Sequence, residues 1–378
     1  MDDSKVRQPW IESARFDLLL ILGPAFLTSL LCYVANHFFV LKADGVSHWQ
    51  WFLLVVGVDV THVYATLWRT YLHPIEGKTQ ATLFKTIPLL CFFASVLLYS
   101  LSPMIFWRVL AYLAVFHFIR QQYGFFSIYA RKENHRPRFF HRLSSMALYS
   151  SALAPLIYWH THSRNFHWFI DGDFFKWSWV GLAQVAIIIH LALILVYAFF
   201  EYRYFRKEKF FNWPKNLLLL GTMASWWTGI VVFDSDWTFT LTNVISHGVP
   251  YTALVWLYAR KESRRSEVIA AATESMLFKL YSLLAKPMTA LFFLLLPFFF
   301  AFFEEGLWDS MIWREHGIFF SWFYNFPKVE SAEILVWLIP LLALPQTTHY
   351  VLDGFIWKLR KPRSDWQTEM FYQEASIV

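Results

Sequence analysis

Residues 177–200 read WSWVGLAQVAIIIHLALILVYAFF, 24 positions without an Asp, Glu, Lys or Arg. As a helix this run is about 36 Å long, enough to cross the roughly 30 Å hydrocarbon core of a bilayer. Comparable runs recur at 17–40, 50–72, 84–101, 106–130, 143–159, 214–233, 237–259, 288–303 and 333–358. The fold class that follows is all-α: a polytopic integral membrane helical bundle of about ten transmembrane helices, forming one transmembrane domain over 17–358. Residues 1–16 are expected as a cytoplasmic segment and 359–378 as a cytoplasmic tail. The polar stretch before the first run is too long for a signal peptide, so that run stays as an anchor.

Composition agrees with this. Of 378 residues, 57% are hydrophobic, 21% aromatic and only 16% charged, which excludes disorder, collagen, coiled coil and a disulfide scaffold. The two cysteines, Cys32 and Cys91, lie inside apolar runs and read as buried thiols. A net charge of +6 would suit nucleic acid, but its distribution points elsewhere. With the N-terminus in the cytoplasm, 25 Lys and Arg fall on inside segments and 6 on outside segments, while Arg69 and Arg120 sit within helices. Alternation of that kind is the positive-inside pattern, with both termini inside, and no nucleic-acid partner is needed. The partner is the lipid bilayer, and a plasma or inner membrane is expected if the chain is bacterial. Residues 266–284 carry apolar positions at helical spacing and read as a helix on the membrane surface. The aromatic stretch 304–328 reads as an interfacial element. No internal repeat is evident.

Ionisable groups in hydrocarbon cost at least about 2.5–3.5 kcal/mol each, so those inside spans carry the functional signal. His62, His117, His247 and His349 lie 10, 13, 12 and 9 residues from the expected cytoplasmic ends of their helices. Four residues of spread correspond to about 6 Å, one layer in depth. Each has polar company three or four residues away: Asp59 before His62, Gln121 after His117, Asn243 before His247, and Gln346 and Asp353 around His349. Residues at that spacing share a helix face, so each helix aims an imidazole and an amide or carboxylate in one direction.

Imidazole ligands with neighbours that fix the ring tautomer are what a bound metal requires. The expected metal site is therefore His62, His117, His247 and His349, supported by Gln121, Asn243 and Gln346. Asp59 and Asp353 are expected as further ligands or orienting acceptors, and Tyr350 as a proton or hydrogen-bond donor, making these three the catalytic set. Without thiolates the donor set suits a transition metal, iron first, with manganese, zinc and copper also compatible and haem a further candidate. Arg69 and Arg120 lie nearer the cytoplasmic side and are expected to hold the polar end of a substrate. Their ordinary alternative is snorkelling, or neutralising Asp59 or Asp353. His190, flanked by Ile and Leu, reads as an interhelical hydrogen-bonding group. His73 reads as a helix-end residue, His135 and His141 as solvated loop. Glu304, Glu305 and His316 are expected to face outside without a role.

The HxxxH and HxxHH boxes of membrane desaturases and hydroxylases are missing. The layout, with single histidines from several helices, resembles that of membrane oxygenases such as bacterial carotene-cleaving enzymes. The function expected is a metal-dependent oxidoreductase of the oxygenase, hydroxylase or desaturase type, acting on a lipophilic substrate with an external electron donor. Two alternatives stand beside it. One is a transporter of protons, metal ions or small solutes. The other is an acyltransferase with His247 as general base, because SHGVPYTALVW resembles the histidine region of membrane-bound acyltransferases.

Overall fold

Each apolar run folds as helix in the computed structural model, which describes residues 8–39, 45–133, 135–265, 268, 279, 281–285 and 289–357. In chain order the long helices are α1 (Ala14–Phe38), α2 (His48–Arg69), α3 (Ala81–Leu101) and α4 (Pro103–Glu133). They continue as α5 (Arg138–Thr161), α6 (Gly181–Glu208), α7 (Trp213–Trp226) and α8 (Asp236–Glu262). The last are α9 (Ala290–Trp313) and the pair α10 (Ala332–Leu342) and α11 (Leu344–Ile356), bent by 42°. No strand occurs among the described residues. The expected tail 359–378 lies outside them, as does most of the expected surface helix. Of that helix, Val268 and Leu284 are described and sit buried in an apolar cluster with Trp68 and Phe293.

Six helices, α1, α2, α3, α4, α6 and α9, are long and apolar enough to cross a membrane, and the bent α10–α11 pair would make a seventh. Their outward faces are apolar: Ile188, Leu195 and Leu291 are 65%, 71% and 67% exposed. Apolar surface on that scale is stable in lipid and not in water. The helices α5, α7 and α8 also occupy expected spans but lack the hydropathy of the six. In α8 the cause is a buried polar stripe, Thr238, Thr242, Asn243, Ser246 and His247.

Contacts divide the chain into two units. The first comprises Met1–Gly45 and Val115–Pro250, the second Val46–Ala114 and Tyr251–Val378. In the first, α5 packs along α6, and α7 packs on α1 and α5. At one end of this unit lies an ion network that the basic-loop reading did not anticipate. Lys215, fully buried, pairs with Glu201 and with Glu133 at 2.6 Å. Arg136 reaches Glu133 and Glu201 at 3.2 Å and Glu208 at 2.9 Å. Asn212 caps α7 by accepting the Lys215 N–H at 3.2 Å and donates to Glu133 at 2.8 Å. In the second unit, α9 packs on α2, while α11 packs on α2 and α3.

Removing one member of a buried ion network leaves its partners charged and desolvated, which typically destabilises by about 3–5 kcal/mol. Lys215→Met is therefore expected to lower the midpoint of thermal or SDS unfolding sharply, and Lys215→Arg to restore part of it. A Met variant as stable as the parent would show that the network contributes nothing.

Candidate metal centre

Within the first unit the site is built on α4 and α8. His117 and His247 are buried, their ring centroids 5.0 Å apart and their planes at 78°. Phe118 stacks on the His247 ring at 3.6 Å, nearly parallel, and so fixes its plane. The backbone under His247 is set by Pro250, which lacks an N–H and leaves the Ser246 carbonyl without its helical donor. In an apolar interior that carbonyl must find another partner. Gln122 donates to it at 3.3 Å, and Gln121 donates to the His247 carbonyl at 2.9 Å. Gln121, expected to support His117, thus acts on the main chain of α8. Asn243, expected to support the His247 ring, instead donates to the Phe239 carbonyl of its own helix at 2.9 Å. Close approach of α8 to the π-helical turn Trp227–Val232 depends on Gly229. A Cβ there would lie 2.2 Å from the Thr242 hydroxyl and 3.3 Å from Asn243.

Within the second unit the site is built on α2 and α11. His62 and His349 are buried, with ring centroids 5.0 Å apart and planes at 77°. His62 follows a π-helical stretch, Phe52–Val60, a local widening often found beside functional residues. The Asp59 carboxylate, on that stretch, lies 3.6 Å from His62 Nδ1. His349 Nδ1 lies 2.7 Å from Thr66 Oγ1, which is 2.9 Å from the Tyr251 hydroxyl, which donates to Asp353 Oδ1 at 2.7 Å. With the Tyr251 proton directed at Asp353, the Thr66 proton points to Tyr251. Thr66 then accepts from His349 Nδ1–H. The imidazole is held as the tautomer that keeps its lone pair on Nε2, the atom a metal would use. Asp353 acts on His349 through two hydroxyls, its direct separation from Nδ1 being 3.9 Å.

The four histidines form one group: each offers a nitrogen, and the four atoms lie within 4.8 Å of one another, all buried. Four imidazole nitrogens grouped this closely are a donor set that would fit a first-row transition ion. Among the described residues no carboxylate or thiolate belongs to this group. Asp59 and Asp353 are therefore placed as neighbours of the ligand set.

The remaining site residues fall elsewhere. Arg69 is buried, pairs with Glu76, donates to the Ile356 carbonyl at 3.3 Å and lies over the Tyr258 ring at 4.3 Å. Arg120 is exposed and donates to the Tyr149 hydroxyl at 2.7 Å. Gln346, expected beside His349, hydrogen-bonds Tyr350 one turn along the same helix. His190 lies 2.9 Å from Ser150 Oγ and stacks on Trp227. His73 is buried: Nδ1 accepts the Ile75 and Glu76 N–H groups at 3.3 and 3.1 Å, and Nε2 faces Glu262 at 3.4 Å. Glu304, expected to face outside, is buried on α9 against Tyr64 and Trp308. Thr66 escaped the sequence reading, although it stands four residues after His62, whereas Tyr251 was legible as a residue near the histidine layer able to supply a hydrogen bond.

No family model, curated protein or solved structure matches the chain. The fold and the histidine geometry therefore carry the functional argument.

Thr66→Val and Tyr251→Phe remove the hydroxyls that orient His349 while nearly preserving volume. Each is expected to weaken metal retention by about 10–100-fold in a chelator competition, the usual scale for groups behind a ligand. The double variant should be little worse than either single one, because the hydroxyls act as one chain. Retention equal to the parent in both singles would remove the chain from the site.

Proposed function

We propose that this protein is a membrane-embedded, metal-dependent oxidoreductase acting on a lipophilic substrate, with His62, His117, His247 and His349 as metal ligands. The observation that carries the reading is the convergence of four buried imidazole nitrogens. An apolar interior tolerates such a polar cluster only when it is paired or ligating. Four neutral nitrogens without thiolate favour a redox-capable first-row ion, iron first. A metal there would supply redox or Lewis-acid chemistry.

The chain's own residues divide the work around that ion. Phe118 fixes the plane of His247, the Thr66–Tyr251–Asp353 chain fixes the tautomer of His349, and Asp59 stands beside His62. Tyr350, held by Gln346 with its ring 5.7 Å from that of His349, would donate a proton to substrate. Among the described residues the site has no redox partner, so electrons would come from an external donor or from the substrate itself. In this reading α5, α7 and α8 also cross the bilayer, giving ten crossings with the α10–α11 pair as one broken span. Both termini then lie in the cytoplasm, as the 25-to-6 distribution of Lys and Arg favours.

Elemental analysis of the detergent-purified protein is expected to give about one iron or another first-row ion per chain, without a Soret band. Alanine at any of the four histidines should abolish retention while membrane insertion persists, and His190→Ala should retain the metal. A metal-free parent protein would overturn the reading and leave transport, measured as uptake into liposomes. A Soret band would replace it with a haem protein.

A further inference from the structure

Tyrosine and tryptophan are the side chains whose rings most readily give up a single electron, and a row of them leads away from the histidines of the second unit. Tyr251, on α8, lies against both: its ring centroid is 5.7 Å from that of His62 and 5.0 Å from that of His349. Trp357 follows at 6.4 Å, and Tyr258 stands 6.1 Å beyond it. These are contact separations for aromatic pairs, so no step crosses a gap wider than one ring contact. From Tyr251 to Tyr258 the row advances about 10 Å along α8, toward the Glu262 end of that helix.

Hydrogen bonding sets these tyrosines apart from one that only packs. Tyr71, in the same unit, donates to the Phe84 carbonyl at 2.6 Å. The two tyrosines of the row donate instead to carboxylates, Tyr251 to Asp353 at 2.7 Å and Tyr258 to Glu76 at 2.9 Å. A phenol that loses an electron becomes a strong acid, and a carboxylate already on its hydroxyl takes the proton without rearrangement. Arg69 lies 4.3 Å from the Tyr258 ring and 5.4 Å from that of Trp357, and its pairing with Glu76 offsets the charge it brings to them. Both phenols are buried, while the Glu76 side chain at the far end is 19% exposed.

Resting on the metal reading above, we propose that Tyr251, Trp357 and Tyr258 form a relay that passes single electrons from a donor at the Glu262 end of α8 to a peroxide held at the histidine centre. Tyr251 gives its electron to the peroxide and its proton to Asp353, leaving a neutral phenoxyl. Trp357 refills Tyr251, whose proton returns from Asp353, and is left as the indole radical cation. Tyr258 refills Trp357 while its own proton passes to Glu76. The outside one-electron donor then restores Tyr258 as Glu76 gives the proton back. Two passages, with two protons from water, reduce one hydrogen peroxide to two waters.

The test loads the purified protein with Fe²⁺ in lipid nanodiscs, adds hydrogen peroxide and freezes it for EPR, with radical yield taken per bound iron. A tyrosyl radical is expected, its spectrum narrowed when the protein carries ring-deuterated tyrosine. Tyr251→Phe should lower the yield at least tenfold. Trp357→Phe and Tyr258→Phe should keep the radical and slow its reduction by added ferrocyanide at least tenfold, and Tyr71→Phe, outside the row, should match the parent. Because a variant can misfold, the deuterated parent stands as a measurement without substitution. Iron bound with no narrowed tyrosyl spectrum, or any folded variant of the three relay residues that behaves as the parent, overturns the relay while leaving the metal centre intact. A parent that binds no iron overturns the metal reading itself, and the relay with it.

Discussion

A proline without an N–H fixes the centre of this protein. Pro250 releases the Ser246 carbonyl inside an apolar interior, where an unmet carbonyl costs several kcal/mol. Gln122 answers with its amide on the Ser246 carbonyl, and Gln121 adds a second bond to the carbonyl of His247 itself. The ring of His247 thus stands on backbone that side chains hold from outside its own helix. Gly229 belongs to the same solution, since only hydrogen at that position leaves room for Thr242 and Asn243. Much of the site follows from meeting hydrogen-bonding demand where no water can.

That demand also separates what the sequence discloses from what it hides. Helix positions were legible at all ten expected places, because long apolar runs admit few other structures in lipid. The four histidines were legible as a set, because their depth and polar neighbours could be counted along the chain. Partners across helices were not. Spacing placed Gln121 on the face of His117, yet its amide goes to the His247 carbonyl on α8. Asn243 and Gln346 likewise bond within their own helices. Thr66, a residue easily passed over, receives the bond from His349 that direct contact with Asp353 would otherwise have made. Arg69, one turn beyond, meets Glu76 from the following loop. Helical periodicity tells which way a side chain faces; what it meets depends on a second segment.

Hydropathy is a partial guide for the same reason. The helices that fall short of spanning hydropathy include α8, whose buried hydroxyls, amide and imidazole face inward. Average polarity counts those groups in full, although they are buried inside the protein. The ion network around Lys215 makes the same point in the first unit, where basic residues that look like loop charges are sealed among glutamates.

The chain of hydroxyls behind His349 has a consequence for the electronic character of any ion bound there. It runs in one direction, from imidazole through Thr66 and Tyr251 to a carboxylate. Electron density is drawn toward the ring, which makes His349 a stronger σ-donor than an imidazole without such a chain.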